Sequence, residues 1–222
     1  MNRLTLAIGN KNYSSWSLRP WLLLKQFDVP FEEIRIPLYE AGSKEALQAL
    51  SPSGLVPALI HGEVKVWDSL AICEYVQELF PAMAMWPHER ETRAIARSIS
   101  CEMHAGFGAL RSSMPMNCKK TFPGKGLNPD AEADIRRIQQ IWRDCRSKYG
   151  NNGPLLFGEF TIADAMFAPV VLRFETYRVE LDEDARAYVS AMLELPAMQE
   201  WLSAACRESE VLPRFEPYEI TT

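Results

Sequence analysis

The chain has 222 residues, 47% hydrophobic and 24% charged, with a net charge of −5, enough apolar material for a packed core without disulfide or metal staples. The acidic balance argues against a nucleic-acid binder, which carries a basic excess or stripe; the densest basic patch, Lys119, Lys120 and Lys125, lies among Pro123, Gly124 and Gly126 and reads as a solvated loop. No apolar run reaches the roughly 20 residues that span a bilayer, residues 1–8 lack a signal-peptide layout, and five scattered cysteines (Cys73, Cys101, Cys118, Cys145, Cys206) without a C-x-x-C pair fit reduced thiols in the cytoplasm.

Residues 4–8 are a short apolar run ended by Gly9 and Asn10, the pattern of a buried strand. After a polar turn over 10–15, apolar residues at Leu18, Trp21, Leu22 and Leu24 give helical spacing over 17–27. Ser17 is placed to cap that helix, and Pro20 is tolerated in a first turn. Strands follow at 31–36, 56–60 and 64–67, with a short helix at 43–50 and a helix from Ser69 to about Leu79, stopped by Pro81. The order β-α-β-α-β-β-α predicts a small α/β domain over residues 1–80. Residues 81–88, with Pro81 and Pro87, read as a linker. Strand patterns then cease. Helices are expected at 89–110, 131–148, 162–174, 184–193 and 198–205, giving an all-α domain over 89–222.

Three places carry chemistry. The turn Tyr13, Ser14, Ser15, Trp16, Ser17 sets hydroxyls at a helix start, beside unpaired N–H groups and the positive end of the helix dipole, where an anion such as a thiolate is stabilised; the same residues also serve as a plain capping cluster. At Val56 and Pro57 a proline begins a strand. A cis bond there would turn the Val56 N–H and C=O outward for an extended peptide, although an ordinary edge-strand proline is the commoner case. Asp68 and Ser69 precede the helix at 69–79. Ser69 suits its N-cap and a carboxylate, and Asp68 suits an ammonium group, so that the two match both ends of an α-amino acid. His61, His88 and His104 have no ligand spacing, and no metal site is expected.

The order of these segments, S-P-S-G-L-V-P-A-L followed by W-D-S-L-A-I-C-E-Y-V, resembles the N-P-x-G-x-V-P-x-L and E/D-S-x-A-I-x-x-Y-L signature of the glutathione transferase superfamily. Phe160 to Asp164 (F-T-I-A-D) is similar to that superfamily's F-S/T-x-A-D box. It is a folding element in which Thr161 caps a helix and Asp164 reaches back to the cap N–H. The turn S-S-W-S-L-R resembles the zeta-class S-S-C-S-x-R of maleylacetoacetate isomerases, with Ser14 at the catalytic serine. Trp16 stands where that class has cysteine, which narrows or reshapes the pocket beside the sulfur and puts isomerase activity in question.

The resemblance implies a thioredoxin-like N-terminal domain with a mixed four-stranded sheet, an all-helical C-terminal domain, and glutathione as co-substrate without a metal. By the family pattern Asp68 and Ser69 take the γ-glutamyl end, Val56 ahead of cis Pro57 pairs with the cysteinyl backbone, and the thiol points at Ser14. Ser15, Ser17 and Tyr13 are further candidate donors. The electrophile would lie between the domains, against Tyr13, Trp16, Met103, His104, Phe107 and Arg111, with Met114 and Met116 adding to the wall; a stripe of this kind also suits helix–helix core. Arg173 is placed for a substrate carboxylate or a surface salt bridge. The family habit also implies a cytoplasmic homodimer with a part in detoxification, binding no nucleic acid or membrane. Two alternatives remain: a non-catalytic glutathione-binding or stress-interaction protein, and a thiol–disulfide reductase. The second is disfavoured because the turn has no cysteine and Cys73 reads as buried filler.

Overall fold

A computed structural model describes residues 3–151 and 153–218; the outermost residues of the two expected domains, 1–2 and 219–222, lie outside them. Strands β1 (Leu4–Ile8), β2 (Phe31–Arg35), β3 (Ala58–His61) and β4 (Val64–Trp67) form one mixed sheet in the order β2-β1-β3-β4. β1 runs parallel to β2, with Leu4 opposite Phe31, and antiparallel to β3, with Leu6 opposite Leu59; β3 and β4 form a hairpin. β1 is central and reads as a continuous apolar run, whereas edge strand β2 exposes Glu32, Glu33 and Arg35. The third strand starts at Ala58 and not at Val56, because Pro57 has no N–H to give the ladder.

Helices α1 (Ser15–Gln26), α2 (Ser43–Leu50) and α3 (Ser69–Leu79) complete this half. The helical half holds α4 (Arg90–Ala105), α5 (Gly108–Ser113), α6 (Pro129–Tyr149), α7 (Ile162–Tyr177), α8 (Glu183–Glu194) and α9 (Pro196–Arg207), followed by a short 3₁₀ turn at Pro213–Phe215. Helix α1 joins the halves. It packs on α3, α7 and α9 and buries every residue from Ser17 to Leu24, as expected of a helix covered on several sides. Trp21 of α1 meets Trp201 of α9 edge-on at 5.0 Å, a pairing worth about 0.5–1.5 kcal/mol beyond its buried area. α7 is buried along nearly its whole length, and Trp142 of α6 packs against Phe167, Phe174 and Tyr188.

Two helix starts and one helix length differ from the sequence expectation. α1 begins at Ser15 with Ser14 at its N-cap, so Ser17 lies inside the helix and is fully buried. Pro20 therefore sits past the first turn, where its missing N–H leaves the Trp16 carbonyl without the usual helical donor. α3 is capped by Asp68, whose carboxylate accepts from the N–H groups of Leu70 and Ala71, and Ser69 is the first helical residue. The helix expected over 89–110 is broken. Gly106 closes α4 onto Glu102, in a position where a Cβ would lie 2.7 Å from the Glu102 carbonyl, and Phe107 adopts a left-handed conformation (φ 55°) before α5 starts. The two glycines around Phe107 were the available signal.

The box at the head of α7 forms as expected: the Thr161 N–H donates to Asp164 Oδ2 at 2.9 Å. The same carboxylate accepts from the Leu156 N–H and the Tyr188 hydroxyl. All five cysteines are unpaired, and among the described residues no helix is long and apolar enough to cross a membrane.

Candidate active site

A cleft of about 1100 Å³ opens between the sheet half and the helical half. Its walls include Ser14, Ser15 and Trp16 from the start of α1, Val56 and Pro57 ahead of β3, and Asp68 and Ser69 at the start of α3. The three segments singled out in the sequence thus meet in one space, large enough for a peptide of a few residues together with a second small molecule.

Ser14 lines the cleft at the N-cap of α1. It is 8% exposed, and its Oγ donates to Ser17 Oγ at 2.7 Å without engaging in a side-chain cap of α1. The N-terminal amides of α1 are therefore not covered by the Ser14 side chain, and the helix end keeps its pull on an anion. The turn is fastened from far along the chain. The Glu208 carboxylate accepts the N–H groups of Lys11 (2.7 Å) and Asn12 (3.0 Å), and Asn12 Oδ1 accepts those of Cys118 and Lys119.

Val56 precedes a cis peptide bond to Pro57, and among the described residues neither its N–H nor its C=O has a hydrogen-bond partner. Asp68 has φ 76°, a left-handed conformation that costs a non-glycine residue energy and tends to persist at functional sites. Its Oδ1 caps α3, and its Oδ2 lies 3.0 Å from His104 Nε2. Ser69 is 1% exposed and accepts from the Arg19 guanidinium at 3.4 Å.

Three arginines gather where α1 meets the helical half. Arg111 and Arg173 line the cleft, and Arg19 stands behind Trp16 with its guanidinium 4.4 Å from that ring; the Arg111 guanidinium lies 5.5 Å from the same ring. Among the described residues none of the three forms an ion pair with a carboxylate. Burial pulls Arg19 down to about 9, aided by Arg173 and Arg111, and burial together with Arg111 pulls Arg173 down to about 10. The Arg19 and Arg111 Nε atoms are buried without a partner. A cluster of this sign, held in a cleft with unspent donors, suits an anionic ligand. Arg173 is 4% exposed and donates to the carbonyls of Met114 and Pro169, so it is no surface salt bridge.

The other expected wall residues divide. Met103, Phe107, Met114 and Met116 are buried in the hydrophobic core, the helix–helix packing that such a stripe also suits. His104 is half-buried on Asp68, with Trp16 edge-on at 5.1 Å. Tyr13 lines the cleft, yet its hydroxyl donates to Glu216 at 2.6 Å. Sequence reasoning missed Leu38, Tyr39, Lys44 and Phe215 on the cleft wall. It also missed the segment after α9, where Phe215 stacks on Tyr13 at 5.6 Å. The basic patch lies, as expected, on an exposed loop, with Lys119 and Lys125 in solvent; Lys119 also donates to the Glu208 carbonyl and Lys120 pairs with Glu216.

Residues 13–79 match the family model "Glutathione S-transferase, N-terminal domain", and residues 128–204 match "Glutathione S-transferase, C-terminal domain". The maleylacetoacetate isomerase of Rattus norvegicus is 29% identical over 88% of this chain and 89% of its own length. A glutathione transferase homolog from Burkholderia gl BGR1, solved with bound glutathione, superposes with a TM-score of 0.71 at 23% identity, covering 91% of this chain and 98% of that one. A zeta-class maleylpyruvate isomerase superposes with a TM-score of 0.70 at 23% identity, covering 93% and 100%.

Proposed function

The chain belongs to the glutathione S-transferase family, and on that premise we propose that it binds glutathione along the sheet edge and directs the thiolate at a small anionic electrophile. One observation carries this reading: Ser14, Val56 and the Asp68–Ser69 pair, far apart in sequence, face a single cleft. Asp68 offers a carboxylate to the γ-glutamyl ammonium, and the Ser69 N–H and hydroxyl at the start of α3 offer donors to its carboxylate. Val56 offers one free N–H and one free C=O to the cysteinyl unit.

The sulfur then reaches Ser14 at the positive end of α1. A free thiol has a pKa of about 8.5, so little thiolate exists at neutral pH. A hydroxyl donor and a helix N-terminus both favour the anion. Ser14 acts as a donor to sulfur and forms no bond with the substrate. The thiolate adds to an electrophilic carbon, and with an activated alkene the electron pair of the C=C bond moves onto the activating group. Protonation of the adduct gives a conjugate. Alternatively, rotation about the former C=C bond, now single, and return of the electron pair to re-form it with expulsion of the thiolate give the isomer. Arg111 and Arg173 suit the carboxylate of such a substrate, in keeping with the maleylacetoacetate named for the rat relative. A disulfide exchange reading lacks its nucleophile: no cysteine stands at the turn, and burial pushes the Cys73 thiol far up.

Five unpaired cysteines fit a reducing cytoplasm, and the family's homodimer, with the exposed Val64 of edge strand β4 available to a partner, is tested by sedimentation velocity. The functional reading is tested by calorimetric titration with reduced glutathione, followed by turnover assays with a maleyl dicarboxylate and with neutral electrophiles. Binding with glutathione-dependent loss of the electrophile is expected. Absence of glutathione binding overturns the reading, and binding without turnover of any electrophile reduces it to a binding protein.

A further inference from the structure

Ser17 has no direct access to the cleft, yet it is the side chain that holds Ser14. It lies one helical turn on from the N-cap, is fully buried, and does not line the cavity. Its Oγ accepts the N–H of Gly9 at 3.1 Å and the hydroxyl of Ser14 at 2.7 Å. Gly9 is itself fixed, because it follows the central strand β1 and packs so closely on Leu38 that a Cβ would fall 2.6 Å from that side chain. The chain Gly9–Ser17–Ser14 thus ties the hydroxyl facing the cleft to the rigid end of the sheet.

We propose that Ser17 is the positioning residue for thiolate stabilisation: a buried hydroxyl that orients Ser14 and hands it a hydrogen bond when Ser14 turns its proton to sulfur. This inference rests on the glutathione reading above. In the structure Ser14 spends its proton on Ser17. A hydroxyl has one proton and two lone pairs. When a thiolate arrives, the Ser14 proton rotates to the sulfur, and the Ser17 proton rotates to the lone pair on Ser14 Oγ. Ser17 keeps the Gly9 N–H on its own oxygen throughout. No proton changes its oxygen; both O–H bonds turn. A donor that also accepts a hydrogen bond is polarised and donates more strongly, and a tethered Oγ does not have to be ordered at the moment the sulfur binds.

The test reads the ionisation of bound glutathione by thiolate ultraviolet absorbance against pH, in wild type, Ser17→Ala, Ser14→Ala and the double variant. Binding of S-methylglutathione, which has no thiol to ionise, checks that each variant keeps its site. Ser17→Ala is expected to raise the bound-thiol pKa by about half a unit to one unit, a roughly three- to tenfold loss of thiolate below the pKa, with S-methylglutathione affinity unchanged. The double variant should match Ser14→Ala, since Ser17 acts only through Ser14. An unchanged pKa in Ser17→Ala, or a further rise on adding it to Ser14→Ala, overturns the proposal. If Ser17→Ala loses S-methylglutathione binding, Ser17→Cys carries the same measurement and is held to the same outcomes. A wild-type protein that leaves the bound thiol at its free value refutes the transferase reading itself, a result distinct from failure of the Ser17 proposal.

Discussion

His104 Nε2 and Asp68 Oδ2 are 3.0 Å apart and join the helical half to the carboxylate proposed to take the glutathione ammonium. The His104 ring is flanked by Trp16, and its pKa is lowered from 6.5 by burial first, with Arg19 and Arg111 in the same direction and Asp68 opposed. His104 thus belongs to the glutathione side of the cleft. His104→Ala should raise KM for glutathione several-fold with kcat and the KM for the electrophile little changed, and His104→Gln, which keeps a donor, should recover much of the loss. The His104 ring resonance should titrate below pH 6.5. Because the folded chain binds that proton less readily than the unfolded one, the stability tied to His104 is present above about pH 6.5 and lost as pH falls below that value through the lower folded pKa. The nuclear magnetic resonance titration checks the direction, and a value above 6.5 contradicts it.

Tyr13 faces the cleft, but its proton is committed. The hydroxyl donates to Glu216 at 2.6 Å, and burial, with Glu216 adding, raises its pKa to about 12. Tyr13→Phe should therefore leave the bound-thiol pKa as in wild type. Glu216 would keep Asn117 and Lys120 as partners, so the loss falls on how firmly residues 212–218 are held. Faster amide hydrogen exchange there, with thiolate absorbance unchanged, is the expected result.

Arg111 stands on α5, in the cleft wall, stacked toward Trp16. Charge-assisted bonds to a carboxylate contribute about 1.5–3 kcal/mol, so Arg111→Ala should raise KM for a carboxylated electrophile about tenfold or more. A neutral electrophile of the same size should be affected much less. Trp16→Leu, which removes the ring beneath Arg111 and Arg19, should shift the carboxylated substrate in the same direction by a smaller factor. Steady-state kinetics with the two substrates separate charge recognition from loss of packing.

Asp164 tests the fold apart from the cleft. Its buried carboxylate accepts from the N–H groups of Leu156 and Thr161 and from the hydroxyls of Thr161 and Tyr188. Asp164→Ala lets the two hydroxyls turn to other acceptors but strands the two N–H groups in the interior, at roughly 1–3 kcal/mol for each, so a loss of about 2–6 kcal/mol is expected in denaturant unfolding. Burial raises the Asp164 pKa to about 6 against the pull of its donors. Its proton linkage therefore favours the folded chain at low pH, and that contribution fades as pH rises through about 6. The slope should be absent in the alanine variant.

Much of this was legible in the sequence because the signals are local. The apolar run at 4–8 became the central strand, and the residues before α1, β3 and α3 came together because the ends of β1 and β4 and the start of antiparallel β3 lie at the same end of the sheet. The caps were harder. Asp68 and Ser69 are adjacent and both cap well, and only the backbone at Asp68 decides between them. The apolar spacing through Met103 and Phe107 continues across Gly106, so periodicity alone could not show that the helix breaks there and swings Arg111 into the cleft. The contacts of Glu208 with Lys11 and of Glu216 with Tyr13 span nearly the whole chain; no local pattern announces a carboxylate that meets its donor only after folding.

A crystal structure of the protein with reduced glutathione tests the central claim most directly. The sulfur should lie within hydrogen-bonding distance of Ser14 Oγ, with the cysteinyl backbone on the Val56 N–H and C=O and the γ-glutamyl group at Asp68 and Ser69. A tripeptide bound with its sulfur turned away from Ser14, or seated outside this cleft, would contradict it.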